Sequence, residues 1–259
     1  MASTSSVDTT STQAPASASG HQPSALIVTI PESGTDFLRN TLVRNFRLTT
    51  AVISNQYFPI DQLRLFETMH FAAGKRVAAT HIDPSPINLQ ILDAFIQRWV
   101  VHLRDPRSVV LSWTHHVERL WRDGRHHHLL FVTPRPDPNY HGMLLEDRLS
   151  WQINHFLPSL IGWMNMWIRL ADAHPDRILL TEFSELKADE KRFVEKLADF
   201  LGLTFATGAY VSAEKMMESA DFGSGDVDEW RFALTLQQQQ AINEAIRPEH
   251  AGRFGWPMQ

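Results

Sequence analysis

Short apolar runs rich in β-branched residues alternate along this chain with segments in which apolar residues recur at helical spacing. Residues 25–30, 99–103 and 177–183 form the clearest runs, and a weaker one covers residues 77–81. Such runs are typical of buried strands. Strands that alternate with helices form a parallel sheet covered by helices on both faces. The sequence therefore predicts the α/β fold class.

The helical periodicity also predicts where the covering helices lie. They are expected at residues 37–46, 87–97, 106–121, 149–173, 187–201 and 235–246. Pro158 is a candidate kink in the long, largely buried helix, because proline lacks the amide hydrogen that a helix needs. The polar segment 122–147 contains three prolines and is predicted to be a long loop.

The composition excludes several classes of protein. The chain has 259 residues, and its 24 Lys and Arg against 29 Asp and Glu give a net charge of −5. No overall positive field therefore attracts nucleic acid or an anionic membrane. The absence of cysteine excludes disulfides, thiolate zinc sites, iron–sulfur clusters and a nucleophilic thiol. It leaves the compartment open, and our expectation is a cytoplasmic protein of undetermined oligomeric state.

The first 24 residues differ in composition from the rest of the chain. They are mostly Ser, Thr and Ala, with no Lys or Arg. They have neither the basic start nor the apolar run of a signal peptide. We predict a disordered tail at residues 1–24, because this composition buries too little apolar surface to offset its ordering entropy. Residues 25–259 are predicted to form one domain without a membrane span, since no run of about 18 uncharged apolar residues occurs.

The carboxyl ends of the predicted strands carry the chemically informative residues, and ligands of such sheets bind at that edge. The first strand leads into the turn Ser33-Gly34-Thr35, which opens a helix. The free amides and dipole of a helix N-terminus favour a phosphate or sulfate, although the spacing of a Walker loop is absent here. The second strand ends at His81, which is either a general base or a structural histidine.

The third strand ends at Arg104, and Ser112 follows eight residues later. With a helix that begins near Pro106, Ser112 lies about two turns in, on the side that faces Arg104. The two side chains would then hold a phosphate through charge-assisted hydrogen bonds. The alternative is that Arg104 pairs with Asp105 or with another carboxylate.

Several segments, taken together in chain order, resemble the motifs of one enzyme family. They are Pro31-Glu-Ser-Gly-Thr35, Thr80-His81, the run from Arg104 to Ser112, the run from Phe183 to Asp189, and the segment from Gly225 to Trp230. The chain is similar to the sulfotransferases that use 3′-phosphoadenosine-5′-phosphosulfate (PAPS). The resemblance extends from about residue 25 to residue 230. It implies the P-loop-like sulfotransferase fold, PAPS as the donor co-substrate, and no metal.

The resemblance also implies the reaction and the role of each residue. A sulfuryl group would pass directly, in line, to a hydroxyl or amine of a small-molecule or glycan acceptor. His81 would be the catalytic base, and Glu32 would orient the acceptor or act in an altered mechanism. The implied donor contacts are Ser33, Gly34, Thr35 and Asp36 at the 5′-phosphate, Arg104 and Ser112 at the 3′-phosphate, Phe183 by stacking, and Gly225 in a closing loop. The pocket for the acceptor is expected to be formed by residues 49–71, residues 122–147 and the Trp-rich helix.

Four departures from the family pattern fall in the donor site. Glu32 stands where the family has a lysine, Ala79 where it often has another, Phe183 where it has a tyrosine, and Gly223-Ser224 where it has Arg-Lys. Loss of a preorganised charge at a reacting anion costs on the order of a hundred- to thousandfold in rate. Two alternatives therefore stay open: a protein that binds a nucleotide or anion without transfer, and a same-fold enzyme with a different donor or chemistry.

The remaining clusters receive structural interpretations. Adjacent histidines, such as His115-His116 and those at 126–128, do not share one face of a helix or strand, so we expect no metal site there. The tryptophans and methionines of the long helix are expected to be core or acceptor-pocket wall. Candidates to replace the missing basic residues are Arg39, Arg44 and Arg107, but nothing in the sequence places them at the donor site.

Overall fold

The structure is a computed structural model, and it describes residues 22–125, 128, 134–136, 139–212 and 228–258. The strands are β1 (Ala25–Thr29), β2 (Thr49–Thr50), β3 (Arg76–Thr80), β4 (Trp99–Leu103) and β5 (Ile178–Glu182). Within the described residues they form one five-stranded parallel sheet in the order β2-β3-β1-β4-β5. The predicted α/β class with a parallel sheet is therefore confirmed.

Alternation along the strands divides the apolar side chains into two layers. In β1, Leu26 and Val28 belong to one core cluster, whereas Ala25 and Ile27 belong to the other. Successive side chains of a strand point to opposite faces of the sheet. Every residue of β1 is buried, because helices cover both faces of this central strand. This burial explains why the strand is a continuous apolar run in the sequence.

The described helices flank the sheet on both faces. They are α1 (Thr35–Phe46), α2 (Leu65–Ala72), α3 (Pro86–Phe95), α4 (Pro106–Arg122), α5 (Leu145–His155), α6 (Leu157–Ala173), α7 (Phe183–Ala188), α8 (Glu190–Leu201), α9 (Trp230–Ala233), α10 (Leu236–Ala245) and α11 (Pro248–Phe254), with a 3₁₀ turn at Tyr140–Gly142. Helices α1 and α8 pack on one face of β1, and the larger core on the other face contains α4, α5 and α6.

Two predicted helices are each divided in the structure. The prediction of one continuous helix at residues 149–173 is wrong, because α5 ends at His155 and α6 begins at Leu157. Pro158 occupies the first turn of α6, where its missing amide hydrogen costs nothing. The helix expected at 187–201 is likewise two helices. Asp189 separates them, and its side chain accepts a hydrogen bond from the amide of Arg192 to cap α8.

Several elements were not predicted. The strand β2 has only two residues, both exposed, so it has no apolar pattern to detect. Helices α2, α9 and α11 are short, with eight, four and seven residues. Helix α5 begins at Leu145, inside the segment expected to be a loop. In elements as short as β2, α2, α9 and α11, the periodicity of apolar residues carries little information about secondary structure.

The N-terminal boundary of the described chain is attached to the sheet. Gln22 accepts a hydrogen bond at its carbonyl from the amide of Lys75 at 2.9 Å, and the Ser24 hydroxyl donates to the carbonyl of Phe71 at 2.5 Å. The rest of the predicted tail lies outside the described residues. None of the helices in the described part of the chain has the length and apolarity to cross a membrane.

Candidate functional site

The loop between β1 and α1 presents the start of a helix at the carboxyl edge of the sheet. Its backbone is left-handed at two positions, with φ 61° at Glu32 and 84° at Gly34. The hydroxyl of Ser33 donates to the carbonyl of Ile30 at 2.8 Å and so closes the turn. Helix α1 begins at Thr35, two residues earlier than predicted, and its N-cap Gly34 offers no side-chain hydrogen bond. The first amides of α1 are therefore not capped by the residue that usually satisfies them.

Gly34 lies directly against an aromatic ring from the other side of the site. A Cβ atom built on Gly34 would lie 3.2 Å from Cε2 of Phe183. Phe183 is the first residue of α7 and immediately follows β5. Two reasons favour glycine here: the positive φ disfavours a side chain, and a Cβ atom would fit only if the ring moved by a few tenths of an ångström.

The remaining loop residues are also engaged with neighbours. The hydroxyls of Thr35 and Thr29 lie 2.8 Å apart, within hydrogen-bonding distance. The carboxylate of Asp36 pairs with Arg39 at 2.8 Å, and 70% of its side chain is exposed. Asp36 therefore contributes its backbone position in the first turn of α1, while its carboxylate is directed to a neighbouring cation.

His81 follows β3 and has a defined tautomer. Its Nδ1 lies 2.8 Å from the carbonyl oxygen of Thr29. Because a carbonyl only accepts, Nδ1 carries the hydrogen and Nε2 is the basic nitrogen. Burial lowers the pKa of His81, which keeps the ring neutral near pH 7 and able to accept a proton. The Thr29 hydroxyl, 3.3 Å from the same Nδ1, also joins His81 to Thr35.

Asp61 organises this histidine and was not identified from the sequence. It is fully buried, and its Oδ2 accepts hydrogen bonds from the Ser54 hydroxyl at 2.7 Å and from the His81 amide at 3.1 Å. Its Oδ1 accepts from the amide of Gln56 at 2.5 Å. The indole of Trp163 donates to the carbonyls of both His81 and Ile82, at 3.2 and 2.9 Å. The backbone on both sides of His81 is thus fixed by buried groups.

Arg104 and Ser112 meet as their spacing predicts. Arg104 Nη1 donates to the Ser112 hydroxyl at 3.2 Å and to the carbonyl of Glu32 at 2.5 Å. The guanidinium stacks over the ring of Phe183, with its carbon 4.5 Å from the ring centroid. Arg104 is only 8% exposed, yet among the described residues its buried Nε has no hydrogen-bond partner. A buried donor without a partner is costly, so this nitrogen is suited to receive an anionic ligand.

The expected alternative partner of Arg104 is engaged elsewhere. The Asp105 carboxylate accepts from Arg107 at 2.6 and 2.9 Å, and it also caps α4. Arg107 is fully buried and donates to Asn243 Oδ1 at 3.1 Å and to the carbonyl of Pro257. Arg107 is therefore a structural residue that ties α4 to the C-terminal segment, and its charge is already paired with Asp105.

Glu32 turns its side chain towards α4. Its Oε1 lies 3.2 Å from Nδ1 of His116, and 23% of the side chain is exposed. Burial raises the pKa of Glu32 to about 7, against the opposing effects of Arg119 and Arg104. Burial also lowers the pKa of His116 to about 4. The His116 ring stacks on Trp113 at 5.2 Å with an angle of 7° between the planes.

Some predicted residues cannot be compared with the structure. Gly223, Ser224 and Gly225 lie outside the described residues, as do His126 and His127. Within the part of the chain that is described, no group of three or more His, Asp or Glu side chains is arranged to hold a metal ion. In the Trp-rich helix, Trp163, Met164 and Trp167 are buried in the core, whereas Met166, which was expected to be core or pocket wall, is 47% exposed and does not belong to the core.

The fold and these contacts define an α/β protein in which an uncapped helix start, a neutral histidine and a buried arginine meet at one edge of the sheet. The sulfotransferase domain model matches residues 22–255, and the chain belongs to that family. The resemblance noted in the sequence is thus confirmed.

Two solved structures are similar in fold. Mouse sulfotransferase SULT7A1 complexed with PAP is 18% identical, with a TM-score of 0.59 over 89% of this chain and 86% of that chain. Retinol dehydratase in a complex with retinol and PAP is 16% identical, with a TM-score of 0.51 over 88% and 82%. At these identities the likeness concerns the fold alone. A comparison with curated proteins finds no match.

Proposed function

We propose that this protein transfers a sulfuryl group from PAPS to a hydroxyl or amine of a small-molecule or glycan acceptor. The observation that carries the proposal is the buried Arg104: its Nη1 donates to the Ser112 hydroxyl, and its Nε has no hydrogen-bond partner among the described residues. This pair would bind the 3′-phosphate of the donor. The family match and the PAP present in both similar structures support the same donor. The match over 22–255 also supports one catalytic domain at residues 25–259.

A cavity of about 320 Å³ gives a ligand room beside Arg104. Phe183, Trp230 and Trp256 contribute aromatic walls, and Glu182, the last residue of β5, lines the cavity as well. Glu182 Oε1 accepts a hydrogen bond from the Trp256 indole at 3.3 Å, and burial raises the pKa of Glu182. A carboxyl that holds its proton more readily repels a nearby phosphate less.

In the proposed reaction, the acceptor oxygen or nitrogen attacks sulfur from the side of His81. A bond forms between the acceptor and sulfur, while the bond from sulfur to the 5′-phosphate oxygen breaks and PAP leaves. The acceptor proton passes to Nε2 of His81, which is neutral near pH 7. The first amides of α1 stabilise the charge on the leaving phosphate, as helix N-termini do for anions.

The experiment compares donor binding with transfer. PAP is titrated calorimetrically into the parent protein and into Arg104→Ala, with Arg177→Ala as the matched control. Arg177 immediately precedes β5, at the amino edge of the sheet, and pairs with Asp93 at 2.7 Å, so its removal should leave PAP affinity unchanged. Labelled sulfate transfer from PAPS to a pool of hydroxyl and amine compounds is then measured.

The outcomes separate the proposal from its two rivals. PAP binding that depends on Arg104, together with transfer, supports the proposal. Binding without transfer favours a protein that holds the nucleotide but does not catalyse. Transfer only from another donor, such as an aryl sulfate, favours an enzyme of the same fold with different chemistry. Equal binding by the parent protein and Arg104→Ala would place the 3′-phosphate elsewhere.

A further inference from the structure

Glu32 occupies an unfavourable place for a carboxylate. It lies three residues before the start of α1, in the loop whose helix dipole attracts anions. Its own carbonyl accepts from Arg104, so the residue is fixed between the two candidate phosphate positions. Its carboxyl is held at His116 Nδ1, 3.2 Å away, instead of extending into solvent. The loop therefore holds this side chain where its charge would act on any bound anion.

The contacts of His116 fix where the proton of this pair lies. Arg119 Nη2 is 3.3 Å from the same Nδ1 of His116. A guanidinium has only donors, so Nδ1 presents its lone pair to this side of the ring. An ionised carboxylate would then face a lone pair across 3.2 Å, whereas a protonated carboxyl can donate a hydrogen bond to it. The geometry therefore favours Glu32 as a neutral acid.

The charged groups around the pair act in opposing directions. Arg119 from α4 and Arg104 after β4 favour the ionised form of Glu32, while Asp36 from α1 disfavours it. Arg125, His128 and His81 face His116 and disfavour its protonation, as Arg119 does. Burial outweighs these charges, and the pKa of Glu32 is raised to about 7. Small changes in local charge near neutral pH therefore change the protonation state.

We propose that Glu32, held by His116, must be protonated when the loop accepts an anionic ligand. The phosphate end of the donor then binds together with one proton taken up at Glu32. This inference rests on the proposed function, since it concerns the same donor loop. A bound phosphate repels the Glu32 carboxylate and favours its protonated form. By linkage, donor affinity falls as pH rises through the titration of Glu32 in the free protein.

The test is calorimetric titration of PAP in two buffers of different ionisation enthalpy, which gives the number of protons taken up on binding. The parent protein is compared with Glu32→Gln, which keeps the shape of the side chain but cannot ionise. PAP phosphates also titrate near neutral pH, and this contribution cancels in the difference between the two proteins. Asp123→Asn is the matched control, because it removes an exposed carboxylate at the end of α4.

We expect the parent protein to take up close to one proton more than Glu32→Gln at about pH 8, and no more than the variant at about pH 5.5. PAP affinity of the parent should also fall about tenfold relative to Glu32→Gln at about pH 8, one unit above the pKa of about 7. Asp123→Asn should behave like the parent protein.

The contrary results are distinct from one another. If both proteins bind PAP with equal proton uptake at every pH, the inference about Glu32 is wrong while the proposed donor site stands. If neither protein binds PAP at any pH, the proposed function fails and this inference fails with it. If Glu32→Gln loses its fold by circular dichroism, the proton uptake of the parent protein across the same pH range decides, because a value no greater than that of the PAP phosphates overturns the proposal.

Discussion

Replacement of Gly34 by alanine tests how the anion loop and the arginine site are joined. The residue has φ 84°, and an L-residue in the left-handed region costs about 1–2 kcal/mol. Gly202, which ends α8 with φ 71°, supplies a matched control because a Cβ there meets no atom within 4 Å. Gly34→Ala and Gly202→Ala should each lower the free energy of unfolding by about 1–2 kcal/mol in urea denaturation.

Only the first variant should affect the ligand. The new methyl group would lie 3.2 Å from Phe183 Cε2, so the ring must shift by a few tenths of an ångström. That ring supports the guanidinium of Arg104 at 4.5 Å. A disturbed cation–π contact and arginine position should weaken PAP binding by roughly 1–2 kcal/mol, or about 5- to 30-fold. Equal PAP affinity in the two glycine variants would refute the proposed mechanical link through Phe183.

Three further variants address the separate parts of the site. Arg104→Ala should weaken PAP binding by about 1.5–3 kcal/mol in calorimetry, the usual value of a hydrogen bond to a charged group, and Ser112→Ala should cost less. His81→Ala should lower turnover by roughly 10²–10⁴-fold in labelled sulfate transfer while PAP affinity stays nearly constant; an equal loss of both would make His81 structural. Glu32→Lys should tighten PAPS binding, with a gain that shrinks as salt is added. If the only effect of Glu32 is to repel the anionic donor, the turnover of Glu32→Lys should rise as well; if Glu32 takes part in transfer, its turnover should be abolished. No change in PAPS affinity or in turnover would place the Glu32 side chain away from the donor.

The parts of the molecule that were predictable depend on short-range patterns. The run at residues 99–103 and the spacing from Arg104 to Ser112 required only one strand, one turn and two helical turns. Their contact at 3.2 Å follows from those local geometries. The start of α1 was misplaced by only two residues, because the glycine that opens it marks the turn.

The unpredicted parts depend on contacts between distant segments. Asp61 reaches the amide of His81 across 20 positions, and the loop that contains it has no periodic pattern. The contact of Glu32 with His116 requires α4 to cross the anion loop, which no sequence spacing encodes. The break at Phe156 was predicted only as a kink at Pro158, because apolar residues continue on both sides of it.

The anchoring of the C-terminal segment by Arg107 makes that end of the chain a reporter of the donor motif. The carbonyl of Pro257 lies on the same guanidinium that pairs with Asp105, the neighbour of Arg104 in sequence. Trp256 and Pro257 also line the cavity beside Arg104, and the Trp256 amide donates to the carbonyl of Ala251 at 2.9 Å. Hydrogen exchange at the Trp256 amide should therefore slow when PAP fills that cavity, so its rate offers a label-free measure of occupancy at a site formed more than a hundred residues earlier in the chain.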